Sequence, residues 1–358
     1  MAGFNDRRPN RDEQREERRR EAARHAGLMK AAFGRETDEA IENARIYEEG
    51  EGRSLLWGAE AAAAARAAKA AAEMAEADAE GAQAGNEEAR EAAEIAEEAA
   101  ETAEAEEAAD PDGAAGAAPA ATETTVKVVT SFAPEALYRD ATGKTMIVDP
   151  GAFTRPGGAY EDGAFGPEQI LCSESNLYPI LVAHKRDFYD KNRDYRRGSL
   201  FTDRALYVPE VLFSRGGDVR RADVLVIAEP IRAYALENHR SERECDKALA
   251  DRIETIFRVA AANGAETLIM GAFGCGRNGY PVEQVIELIQ NWIAEHPGAV
   301  PNVVLAVPRM HADAFREAFG APEPERPAPV VVAEDENDRE GDDEDWRNVE
   351  LPEGVTLR

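Results

Sequence analysis

Glu168 and Gln169 stand side by side behind a glycine-rich stretch, Arg155-Pro156-Gly157-Gly158-Ala159, that runs on to Gly166-Pro167 and then into a helix-forming segment. A carboxyl beside an amide has two uses at such a place. The carboxyl can give or take a proton, and the amide can hydrogen-bond but has no titratable proton near neutral pH. The glycines before them suit a different part of a ligand. Without Cβ atoms in the way, backbone N–H groups can close on a phosphate, and a helix start adds partial positive charge and free donors. A second stretch, Gly271-Ala272-Phe273-Gly274-Cys275-Gly276-Arg277-Asn278-Gly279, repeats the device. Two phosphate-ready loops suggest a nucleotide diphosphate.

Both stretches follow short apolar runs. The pattern predicts strands at Thr125–Ser131, Thr145–Val148, Ala205–Tyr207 with Val211–Phe213, Asp223–Ile227, Glu266–Met270 and Asn302–Val307. Between them, helical spacing predicts Pro167–Lys191, Ser241–Ala262, Pro281–Glu295 and His311–Phe319. Strands alternating with helices imply an α/β fold, a three-layer α/β/α sandwich on a mixed sheet, with ligands outside the carboxyl ends of the strands. At the amino end, Arg11–Phe33 and Asp38–Tyr47 read as two short helices.

Charge separates this body from its appendages. From Gly58 to Val126 an Ala/Glu-rich stretch holds 18 acids against three bases, and Glu334–Glu350 holds ten against two; together they carry −23 of the net −29. The expected organisation is therefore an amino-terminal helical segment (1–54), an Ala/Glu-rich helical or disordered insertion and linker (55–123), the α/β domain (124–321) and an acidic disordered tail (322–358) with a short docked piece possible at Val330–Val332 or Trp346. Such negative charge argues against direct binding to nucleic acid or anionic membranes. The arginines between Arg7 and Arg24 alternate with acids and read as a salt-bridged, solvated helix. No secretory or membrane-spanning pattern occurs, so a cytoplasmic location is expected.

Other constellations are weaker. Gly274, Gly276 and Gly279 fit Gly-x-Gly-x-x-Gly, but they lie in the penultimate strand–helix unit, and the next strand runs into Pro308-Arg309 where a dinucleotide site has an acid. Cys172, Cys245 and Cys275 lack metal or disulfide spacing, and the five histidines are scattered, so no metal or cofactor is expected. Cys172, Ser173 and Ser175 have no histidine near in sequence and read as helix packing.

Taken in order, the phrases resemble the macrodomain superfamily, in particular the bacterial type of poly(ADP-ribose) glycohydrolase. Met146-Ile147-Val148-Asp149, then Arg155-Pro156-Gly157-Gly158-Ala159, seven residues, Pro167-Glu168-Gln169, Leu171-Cys172, Ser175 and Leu177-Tyr178 keep that family's order and spacing. Asp203-Arg204-Ala205-Leu206-Tyr207-Val208-Pro209 and Gly271-Ala272-Phe273-Gly274-Cys275-Gly276 continue it. The resemblance implies recognition of ADP-ribose or an ADP-ribosylated macromolecule, with the diphosphate between the glycine loops and the distal ribose at the paired glutamates. Ligand-binding positions would then be Asp149, Gly157, Gly158, Ala159, Gly271, Phe273, Gly274, Cys275, Gly276, Arg277 and Asn278, with Glu168 and Gln169 at the catalytic pair.

The second position of that pair is glutamate in the family, the general acid of a glycosidase reaction, and here it is Gln169. An amide has no titratable proton near neutral pH, and losing such a group typically costs about 10²- to 10⁴-fold in rate. Asp149 replaces Asn, Ala159 the third Gly, Pro167 Gln, and Arg277-Asn278 Val-Phe. A carboxylate at Asp149 needs an offset near a diphosphate, which Arg155 or Arg277 could supply. The resulting expectation is ADP-ribose recognition with doubtful hydrolysis. The alternatives are an active glycohydrolase working through Glu168 and a structural or interaction protein that keeps only the fold.

Overall fold

A seven-stranded mixed sheet organises the computed structural model of the protein. The structure describes residues 10–58 and 123–320. The expectations for Arg7 and Arg8, for the Ala/Glu-rich residues 59–122 and for the tail from 322 onward, Val330–Val332 and Trp346 among them, lie outside the described residues.

In chain order the elements are α1 (Arg11–Glu42), β1 (Arg45–Tyr47), α2 (Glu51–Ser54), β2 (Thr125–Val129), α3 (Ala133–Asp140), β3 (Thr145–Asp149), α4 (Pro167–Ser173), α5 (Leu177–Ala183), β4 (Ala205–Arg215), β5 (Asp218–Ile227), α6 (Arg232–Glu237), α7 (Glu242–Ala262), β6 (Thr267–Met270), α8 (Val282–Glu295), β7 (Asn302–Ala306) and α9 (Arg309–Phe319). The sheet runs β1-β4-β5-β3-β6-β7-β2. β5, β3, β6, β7 and β2 are parallel neighbours, whereas β1, β4 and β5 pair antiparallel.

Strand periodicity sorts the core into the outer layers. In β3, Met146 and Val148 face one cluster with Ile256, Phe257 and Val285, while Ile147 faces the other with Leu137, Leu171 and Ile180. Leu268 and Met270 against Ile269 in β6, and Val303 and Leu305 against Val304 in β7, divide the same way. Successive Cβ atoms on opposite faces therefore bury both sides of the sheet under helices, the expected sandwich. The five residues of β3 are all buried, which makes it a central strand.

Three local expectations change. The amino-terminal segment is one helix over Arg11–Glu42 with a non-helical Phe33 (φ −133°), and Thr37 returns a hydrogen bond to the Phe33 carbonyl at 2.7 Å. Tyr47 lies in β1, because the sheet offers an antiparallel ladder, Tyr47 opposite Ala205, that outweighs local helical preference. The predicted helix Pro167–Lys191 is broken at residues 174–176, where the backbone joins β4 instead: Ser214 N–H donates to Glu174 O and Asn176 N–H to Leu212 O. The Asn176 side chain fixes the break by accepting from Leu212 N–H at 2.9 Å and donating to Thr37 Oγ1 at 3.0 Å.

Candidate functional site

The first glycine loop leaves β3 and turns back through three successive left-handed residues, Gly157 (φ 64°), Gly158 (φ 52°) and Ala159 (φ 72°). Glycine adopts this conformation freely, whereas alanine at such a φ is strained by about 1–2 kcal/mol. Two side chains hold the turn from within. Gln169 Nε2 donates to the carbonyls of Gly157 at 3.0 Å and Gly158 at 3.2 Å. Glu168 Oε2 accepts from Ala152 N–H at 2.9 Å and the carboxylate also takes the Gly157 N–H.

From outside, α1 grips the same loop. Arg15 Nε donates to Asp162 O and Arg18 Nε to Gly163 O, each at 2.9 Å. The amino-terminal arginines thus do more than form the expected solvated helix, although Arg19 and Arg20 do pair with Glu16 on that helix.

Beneath the loop lies an acid pair. Asp149 is fully buried, and neither carboxyl oxygen has a hydrogen-bond partner among the described residues. Glu168 is 4% exposed with Oε1 equally unpartnered. Burial pushes Asp149 up to about 8, and burial followed by the nearby Asp149 charge holds Glu168 well above the carboxylate range. The offset expected from Arg155 does not occur: Arg155 points outward to Asp162 at 2.6 Å and Glu161 at 3.2 Å. Burial favours the protonated form of Asp149, and the side chain sits below the cleft surface.

The second loop is closed on itself. Phe273 N–H donates to Gly271 O at 2.9 Å and Cys275 N–H to Ala272 O at 3.0 Å, so two backbone donors expected to face a diphosphate are engaged. Gly274 N–H donates to Glu229 Oε1 at 2.7 Å, and Asn278 Nδ2 donates to Glu229 Oε2. Phe273 is buried below the loop, and Gly276 (φ 68°) and Arg277 lie on its exposed side. Burial pushes the Cys275 thiol up to about 12, which disfavours its thiolate.

The two loops border a cleft with two lobes. One, of about 840 Å³, is lined by Gly151, Gly158, Glu168, Gln169 and Tyr234. The other, of about 530 Å³, is lined by Phe132, Val148, Gly271, Phe273, Cys275 and Arg309. Pro150, Pro167, Glu229, Arg277 and Asn278 belong to both and mark the divide. The cleft lies where β3 and β6 end, as expected for an α/β sheet. Its walls are steadied by buried Arg252, which donates to the carbonyls of Leu200, Ala228 and Ala248.

The structure thus gathers Gly158, Glu168, Gln169, Gly271, Phe273, Cys275, Arg277 and Asn278 around one cleft, with Gly157, Ala159, Gly274 and Gly276 shaping its two loops and Asp149 underneath. Sequence reasoning missed Glu229 and Arg252. Glu229 had a usable signal, an acid directly beyond the carboxyl end of β5, the edge where such sheets bind ligands. Arg252 had none, since it looks like any helix arginine. Among the described residues no helix is long and apolar enough to cross a membrane.

Comparison with known proteins gives this cleft a context. A family model described as microbial-type PARG, catalytic domain, matches residues 29–216, over half of the chain. Poly(ADP-ribose) glycohydrolase from Thermomonospora curvata superposes with a TM-score of 0.57 at 21% identity, covering 85% of this chain and 100% of that one. The same enzyme bound to the inhibitor ADP-HPD gives 0.56 at 20%, covering 84% and 99%. The glycohydrolase from Deinococcus radiodurans in complex with ADP-ribose gives 0.55 at 17%, covering 79% and 96%. These likenesses establish a shared fold. No curated protein matches the sequence.

Proposed function

The chain belongs to the microbial-type PARG catalytic-domain family, and from that premise we propose that its cleft recognises ADP-ribose, free or attached to a macromolecule. The observation that carries this reading is the two-lobed cleft pinched between two glycine loops at the carboxyl ends of β3 and β6. A ligand with a sugar at each end and a diphosphate in the middle matches two lobes and a divide. The lobe with Glu168 and Gln169 takes the distal ribose, and the lobe with Phe132 and Arg309 takes the adenosine half.

In this reading Gln169 is a structural and ribose-facing residue, with its amide spent on the loop carbonyls. It supplies no proton to a leaving group. One observation favours a second reading, glycohydrolase activity through Glu168: its Oε1 is unpartnered, its side chain lines the cleft, and its proton affinity is raised. A carboxyl so placed can hold the proton that glycosidic cleavage requires. The residues assigned to 124–321, together with α1 and β1 packed on them, form the binding body.

Calorimetry with ADP-ribose on the full chain tests recognition, and no heat at millimolar ligand defeats it. Turnover of ADP-ribosylated protein then separates the readings. Recognition without catalysis predicts release only from Gln169→Glu; release by the native chain that disappears in Glu168→Gln establishes the second reading.

A further inference from the structure

Glu229, just beyond β5, lies against the second loop, where the ADP-ribose reading places the ligand's negative charge. It sits on the divide between the lobes, takes the Gly274 N–H at 2.7 Å and holds the Asn278 amide, and Arg277 supplies the nearby positive charge. A backbone N–H, a side-chain amide and a guanidinium form an anion site, and the anion in it belongs to the protein.

We propose that Glu229 is a resident stand-in for the ligand's diphosphate, so that a nucleotide diphosphate enters only by displacing it, and that Glu229 thereby sets the affinity of the cleft. The inference rests on the ADP-ribose reading above. Two further features fit displacement. Glu229 is an uncomfortable anion, because burial raises its carboxyl to about 7 despite both hydrogen bonds and Arg277, so moving it into solvent recovers hydration that the loop denies it. The groups it releases are the donors a phosphate would take up. A diphosphate brought in beside an undisplaced carboxylate would meet like charge at close range, which selects against it.

The consequence is a cleft in which this side chain discriminates against phosphates more than against uncharged nucleosides. Calorimetry on the full chain with ADP-ribose and with adenosine, using native protein, Glu229→Ala and Glu229→Gln, tests this. Glu229→Ala is expected to bind ADP-ribose about tenfold more tightly or better, and to gain more for ADP-ribose than for adenosine. Glu229→Gln, uncharged but still able to accept from Gly274 N–H, is expected to gain as well and guards against a loop that collapses in the alanine variant. If both variants keep native circular dichroism and bind ADP-ribose no more tightly than native protein, Glu229 is a loop brace and the proposal fails. If native protein gives no heat with ADP-ribose at millimolar ligand, the recognition reading fails and takes this one with it.

Discussion

Gln169 donates its side-chain amide to the carbonyl of Gly157 at 3.0 Å, so the amide beside Glu168 is bonded to the backbone of the loop it faces. A carboxylate at 169 would point lone pairs at the two carbonyls that the amide now satisfies, at Gly157 and Gly158.

Gln169→Glu is therefore expected to raise the proton affinity of the new side chain and to make stability depend on pH. With the folded pKa above the unfolded one, the variant matches native protein most nearly at pH 4 and falls behind by about 1–3 kcal/mol at pH 8. Urea unfolding at both pH values checks this. A constant difference would mean that the loop carbonyls turn away.

Asp149 gives the native chain a pH dependence of its own. Below its ordinary 3.8 the carboxyl is protonated in folded and unfolded chains alike; between 3.8 and about 8 only the folded protein keeps the proton. Its contribution is complete below that window and is lost as pH rises through it, on the order of 5 kcal/mol at most. Asp149→Asn should flatten the stability profile between pH 5 and pH 8 and raise the melting temperature at pH 8. An unchanged slope would place the titration elsewhere.

Ala159 holds φ at 72° in the third left-handed position of the loop. Ala159→Gly relieves that strain at the expense of unfolded-chain entropy, for a net gain of about 0.5–1 kcal/mol. Thermal unfolding measures it, and a loss of stability would show that the alanine methyl contributes more by packing than it costs in strain.

Arg15 and Arg18 anchor the outer side of the same loop through Asp162 O and Gly163 O. Replacing both by alanine should weaken ADP-ribose binding about tenfold and speed hydrogen exchange at residues 156–163. Faster exchange spread over the whole domain would instead mean that the arginines serve global stability.

The sheet was legible because its strands are short apolar runs with the helices spaced between them, and the glycine loops because few other residues tolerate their backbone. What escaped depended on partners remote in sequence. Tyr47 becomes a strand residue only because Ala205 lies opposite, and residues 174–176 leave the helix only because β4 passes beside them. Short α3 and α6 have too few residues for a spacing to register. In the site, Glu168 and Gln169 were visible as types, but their separate occupations, one buried over Asp149 and the other bonded to the loop, follow from the three-dimensional turn.

The grip of α1 on the first loop spans 147 residues at Arg15 and 145 at Arg18. Contacts of such separation raise the contact order of the fold, which slows folding. Closure entropy grows only logarithmically, by about 0.6 kcal/mol for each doubling of the intervening chain. The segment between α2 and β2 can therefore lengthen or shorten at little thermodynamic cost, while the first loop of the cleft remains tied to the chain's own amino-terminal helix.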